Sequence, residues 1–111
     1  MKIPESLCVF RLSSLGDIVL TTVLLRRLRR QYPQAYIVMV VAEQYYEAVR
    51  FNIHCSAIVT VHTKNGLKGL LEARRKILAF TQGKKFDVVI DLHKNIRTAL
   101  LKFSLGKTYY S

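Results

Sequence analysis

The chain has 111 residues, half of them apolar, with 18 Lys and Arg against 7 Asp and Glu and a formal charge of +11. That length suits one domain, and the apolar half is enough for a core, so an ordered fold is expected. No apolar run approaches the ~18 residues that span a bilayer, and the charge favours anionic partners without choosing between phosphorylated lipid, nucleotide, nucleic acid and acidic membrane.

Residues 1–5 run straight into an apolar segment and lack the h-region and cleavage site of a secretory leader, so the protein is expected in the cytoplasm. The first strand is expected over 7–11. A tight polar turn, Arg11-Leu12-Ser13-Ser14-Leu15-Gly16-Asp17, then opens a helix expected over 17–32 and stopped by Pro33. A turn in that position lies at the carboxyl edge of an open α/β sheet, where ligands bind. Gly16 lets the backbone turn sharply or approach a ligand. Asp17 stands at the helix start, where the dipole favours a carboxylate. Ile18, Thr21, Leu25, Leu28 and Tyr32 share one helix face; Arg26, Arg27 and Arg30 lie off it. Leu20 and Val23 also point away, so the first half of this helix is expected to be covered on both sides.

Residues 36–42 form a continuous apolar run, the mark of a central parallel strand buried on both faces. A short helix is expected over 43–50 and a β-branched strand over 57–61. Asn65-Gly66 marks a turn. Leu67, Leu70, Leu71, Ile77, Leu78 and Thr81 then repeat at helical spacing up to Gly83, with Arg74 on the apolar side, either snorkelling or reaching an anion. A fourth strand is expected over 86–91 and a helix over 95–105, ended by Gly106. Thr108-Tyr109-Tyr110 reads as the start of a fifth strand. Strands alternating with helices predict a parallel sheet with right-handed crossovers.

Cys8 in a strand and Cys55 in a loop read as free thiols. His54, Cys55, His62 and His93 match no zinc spacing, so no metal site is expected. The 13–17 turn has one glycine and fits neither the dinucleotide fingerprint nor the P-loop, so no cofactor is expected there.

Arg-Leu-Ser-Ser-Leu-Gly-Asp-Ile-Val-Leu-Thr-Thr from Arg11, with Leu-Leu-Arg-Arg-Leu-Arg-Arg-Gln-Tyr-Pro up to Pro33, resembles the opening of the ADP-heptose:lipopolysaccharide heptosyltransferases, glycosyltransferase family 9. A second match is Phe-Asp-Val-Val-Ile-Asp-Leu-His-Lys-Asn-Ile-Arg-Thr-Ala-Leu-Leu over 86–101, where that family carries a strand, a polar turn, then Arg or Lys with Ser or Thr. The family often has proline where Val23 stands and Gln-Gly where His93-Lys94 stands. The resemblance implies a Rossmann-like open parallel sheet with flanking helices, the amino-terminal half of a GT-B glycosyltransferase. It makes residues 1–111 an acceptor-binding domain, truncated, without its carboxyl-terminal nucleotide-sugar domain and inactive alone. It implies inverting, metal-independent transfer from a nucleotide sugar, ADP-heptose, to the phosphorylated inner core of a lipopolysaccharide precursor, the donor being held by the absent domain.

On that resemblance Asp17 is the general base. Arg11, Ser13, Ser14, Gly16, Lys64, His93, Asn95, Arg97 and Thr98 are candidate acceptor-binding residues. Each has a plainer reading beside it. Asp17 also suits a helix cap, Ser13 and Ser14 suit turn chemistry, and Asp91 suits stabilisation of the next turn. Arg11, Lys94 and the run Lys64, Lys68, Arg74, Arg75 and Lys76 suit solvated charge. Arg26 to Arg30 would attract an anionic membrane surface, giving peripheral attachment. Two other classes stay open: a basic nucleic-acid-binding module, supported by charge alone without a helix-turn-helix, RRM or KH signature, and a non-catalytic α/β interaction domain. On the transferase reading no nucleic-acid partner is expected.

Overall fold

The computed structural model describes residues 5–11, 15–82, 85–91 and 106–110; for 15–17, 19, 91 and 106–110 it describes the backbone alone. The elements run β1 (Ser6–Phe10), α1 (Leu15–Gln31), β2 (Tyr36–Ala42), a 3-10 turn (Glu43–Tyr45), α2 (Tyr46–Val49), β3 (Ala57–Val61), a second 3-10 turn (Thr63–Asn65), α3 (Gly66–Ala79), β4 (Phe86–Asp91) and β5 (Gly106–Tyr110). The five strands form one sheet in the order β3-β2-β1-β4-β5, and every pairing is parallel.

Side-chain alternation splits the apolar residues between two cores. Cys8, Phe10, Val38 and Val40 face Leu70, Ala73 and Ile77 of α3. Leu7, Val9, Ile37, Met39 and Val41 face Ile18 and Leu25 of α1, with Val49 of α2. The two larger helices lie on opposite faces because their crossovers run in opposite directions along the sheet. α1 joins β1 to β2 towards one edge, and α3 carries the chain from β3 back past them to β4; a right-handed path then needs opposite sides. In β4, Phe86 and Val89 face the same core despite their odd spacing. The pairing with β5 slips between those two residues, and an extra residue of this kind reverses the alternation locally.

The expected strands over 36–42, 57–61 and 86–91 match β2, β3 and β4. Three expectations need correction. The helix over 43–50 is a 3-10 turn followed by one turn of α-helix, too short to offer a regular apolar face. Leu67 and Leu71 are exposed, because the face of α3 that meets the sheet is centred on Gly69, Leu70, Ala73 and Ile77. Leu20 and Val23 of α1 are exposed too, so the second covering layer expected over its first half is not supplied by the described residues. The helix expected over 95–105 lies outside the described residues.

The amino edge of the sheet is tied by one side chain in the last turn of α1. The Arg29 guanidinium donates to the carbonyls of His54 (3.0 Å), Pro33 (3.1 Å) and Ala35 (2.6 Å) and to Ser56 Oγ (3.1 Å). Ser56 Oγ in turn accepts from the Ile37 N–H at 2.9 Å. The cation also meets the negative end of the helix dipole. Replacing Arg29 with Met keeps the stem and removes the fork. Urea unfolding is expected to show a loss of about 2–3 kcal/mol, and Lys should recover only part of it, since an ammonium cannot reproduce the planar fork. A loss below half of that would mean water replaces the guanidinium at little cost.

Candidate functional site

In a doubly wound sheet, ligands bind beyond the carboxyl ends of the strands where the winding direction reverses. Here the reversal falls between β1 and β4. From β1 the chain goes through α1 to β2 on one side, and β4, its other neighbour, is reached only after β3. Phe10 and Asp91, close to the carboxyl ends of those strands, are paired across the ladder. The segments that leave β1 and β4 therefore start side by side, although about eighty residues separate them.

Arg11 follows β1, half-buried, and its backbone N–H donates to the Val40 carbonyl at 3.0 Å, extending the ladder by one residue at this edge. Gly16 and Asp17 are the second and third residues of α1, placed by their backbone in its first turn above the end of β1. Ser13, Ser14, His93, Asn95, Arg97 and Thr98 lie outside the described residues. Lys64 is exposed in the 3-10 turn after β3. It belongs to the same edge but stands two strands from β1, about 10 Å across the sheet. The arrangement thus has one acid-bearing helix start at the reversal point and a cation displaced to the side, a layout suited to an extended anionic substrate.

The same edge carries a side-chain pair that local spacing does not reveal. His62 Nδ1 and Glu43 Oε2 are 2.5 Å apart, both side chains about two-fifths exposed. They cross-link the turns after β2 and β3, next to Lys64. Each residue immediately follows a strand, and the last residues of those strands, Ala42 and Val61, are register partners. The signal therefore existed in the sequence but needed the pairing to be read.

The cysteines are free. Cys8 is fully buried and its thiol is pushed far up by loss of solvation. Cys55 is pushed up as well, by burial. Neither is suited to act as a thiolate nucleophile. Among the described residues no group of three or more His, Cys, Asp or Glu is gathered as for a metal ion. Among them, too, no helix is long and apolar enough to cross a membrane.

The strand order, the opposed helices and the reversal between β1 and β4 define an α/β, Rossmann-like open parallel sheet with its ligand edge at the carboxyl ends. No family model matches the chain. The lipopolysaccharide core heptosyltransferase OpsX of Haemophilus influenzae is 25% identical over 109 residues, covering 93% of this chain and 30% of that protein. The crystal structure of a glycosyl transferase family 9 protein from Veillonella parvula superposes with a TM-score of 0.84 at 32% identity, over 99% of this chain and 32% of that one. The E. coli heptosyltransferase WaaC with ADP has the same fold, with a TM-score of 0.72 at 20% identity over 95% of this chain and 33% of its own. In sequence and fold, then, the chain is similar to a glycosyltransferase family 9 protein and to lipopolysaccharide heptosyltransferases. It spans about a third of the length of these relatives.

Proposed function

We propose that this chain supplies the amino-terminal, acceptor-binding half of a GT-B glycosyltransferase. The enzyme would move heptose from ADP-heptose to the phosphorylated inner core of a lipopolysaccharide precursor, with inversion and without a metal ion. The observation that supports this reading most is the adjacency of β1 and β4. It starts the Ser-Ser-Leu-Gly-Asp turn and the segment after Asp91, the two stretches that resemble the family, from neighbouring strand ends at the reversal of the sheet.

In this reading Asp17 takes the proton from the acceptor hydroxyl as that oxygen attacks the anomeric carbon. The carbon–oxygen bond to the nucleoside diphosphate breaks, and the diphosphate leaves with the electron pair. Single displacement inverts the centre, and base assistance contributes about 10²–10⁴-fold. Ser13 and Ser14 would hydrogen-bond acceptor hydroxyls or phosphate, and Gly16 would let the backbone come close. Arg11, Lys64, His93, Asn95, Arg97 and Thr98 would hold the acceptor's anionic groups and sugar. The donor would occupy the carboxyl-terminal domain, so the 111 residues alone are expected to bind acceptor without turnover. An acceptor anchored in lipid would put the enzyme on the cytoplasmic side of the inner membrane, attached peripherally.

The complete protein, given ADP-heptose and an inner-core acceptor, is expected to release ADP in step with a product of inverted anomeric configuration, unaffected by a chelator. Retained configuration, or no transfer to such acceptors, would overturn the proposal. Lys64→Ala should raise the acceptor KM about tenfold, the loss of one charge-assisted contact, with kcat nearly unchanged. An unchanged KM would remove Lys64 from the acceptor site.

A further inference from the structure

Leu20, Val23, Arg26, Arg27 and Arg30 recur along α1 at intervals of three and four residues and share its outer face. All are exposed, Leu20 to 68%. Beside that face, the loop entering β3 holds out two large apolar side chains, Phe51 (78% exposed) and Ile53 (86% exposed). The loop and the helix adjoin: Thr22, Val23 and Arg26 line a shallow depression of about 180 Å³ together with Asn52 and His54.

The loop is held in shape. Asn52 Oδ1 accepts from the His54 N–H at 2.8 Å, the Asn52 N–H donates to the Val49 carbonyl at 2.9 Å, and Arg29 grips the His54 carbonyl. Arg50 lies 4.4 Å over the Phe51 ring. Among the described residues Phe51 and Ile53 join neither core, and their exposure to water carries a cost that packing among those residues does not offset.

A braced, protruding apolar tip bordered by arginines has the make-up of an interfacial membrane contact. The tip enters the boundary between headgroups and acyl chains, and the guanidinium groups meet lipid phosphates. Nucleic acid fits less well, since Ile53, the more exposed of the pair, offers no face for base stacking. We propose that Phe51 and Ile53, with the arginine face of α1, dock the protein on an anionic lipid surface. The proposal rests on the membrane-side placement given above but not on the transfer chemistry.

The test is co-sedimentation of the complete protein with vesicles of phosphatidylglycerol and phosphatidylethanolamine, against vesicles of phosphatidylcholine. Binding is expected to the anionic vesicles alone and to fall with salt. Phe51→Ser with Ile53→Ser should weaken it about tenfold or more, and each of Arg26→Gln, Arg27→Gln and Arg30→Gln about fivefold, with circular dichroism unchanged. Phe51→Trp adds a reporter whose emission, taken as the difference from the unsubstituted complete protein, should shift to the blue only with anionic vesicles. Full binding by the double serine variant would overturn this surface and leave membrane placement standing; no binding by the wild type would overturn both. Emission already blue without vesicles would show another part of the complete protein covering the tip, and would also overturn the proposal.

Discussion

Asp17→Asn in the complete enzyme is expected to lower turnover by about two orders of magnitude or more, with folding and donor affinity nearly intact. The residue is the third of α1, in the turn that rises from the end of β1 beside β4. Asparagine keeps the shape and can still cap a helix, so the capping role alone predicts almost no change in rate. The cost to folding should stay within about 1 kcal/mol, the worth of a carboxylate near a helix dipole. The general-base role predicts a loss in kcat, because the amide cannot accept the acceptor's proton as the new bond forms. Asp17→Glu retains the base but moves it by one methylene, and it should fall between the two. Steady-state rates with acceptor varied at saturating donor, alongside thermal melts, separate the readings. Near-normal turnover for Asp17→Asn would place the base elsewhere.

The largest expected effect on stability is at Gly69. A Cβ added there would stand 2.2 Å from the His62 carbonyl oxygen and 3.1 Å from its carbon. Both are backbone atoms, so no side chain can swing aside. Accommodation requires α3 to move off the end of β3, opening the core around Leu70, Ala73 and Val61. Gly69→Ala is therefore expected to cost about 3 kcal/mol or more, although alanine is the better helix former. In a domain of this size that is a fall of roughly 10–20 °C in Tm. The same movement would displace the His62–Glu43 link and Lys64, so the acceptor KM should rise in any variant that still folds. Gly66→Ala is the control. Its φ of +56° with ψ of −134° is a conformation that favours glycine, but nothing lies within 4 Å of the added carbon, so backbone strain alone, about 1–3 kcal/mol, is expected. If Gly66→Ala proved as damaging as Gly69→Ala, close packing of α3 on the His62 carbonyl would not be what holds this edge.

The candidate site was legible to different depths. Asp17 and Gly16 could be placed at a strand-to-helix turn from the apolar run before them and the helical period after them. Lys64 could be placed just beyond a strand for the same reason. The separation of Lys64 from β1 by the width of β2 could not, because strand order leaves no trace in local spacing. Glu43 and His62 were each visible only as residues after a strand. Their link depends on Ala42 and Val61 ending in register.

Local chemistry in the sequence determined the elements. The uninterrupted apolar run of β2, the β-branched run of β3 and the apolar period of α1 follow from what each segment must bury, and neighbouring residues carry that information. Only the tertiary structure decided that β1 lies between β2 and β4, that α1 and α3 cover opposite faces, and that Leu67 and Leu71 stay in water while Gly69 meets the sheet. Those outcomes depend on which distant strands pair and how closely a helix approaches them. Such contacts are settled by packing among segments tens of residues apart, and no local period records them.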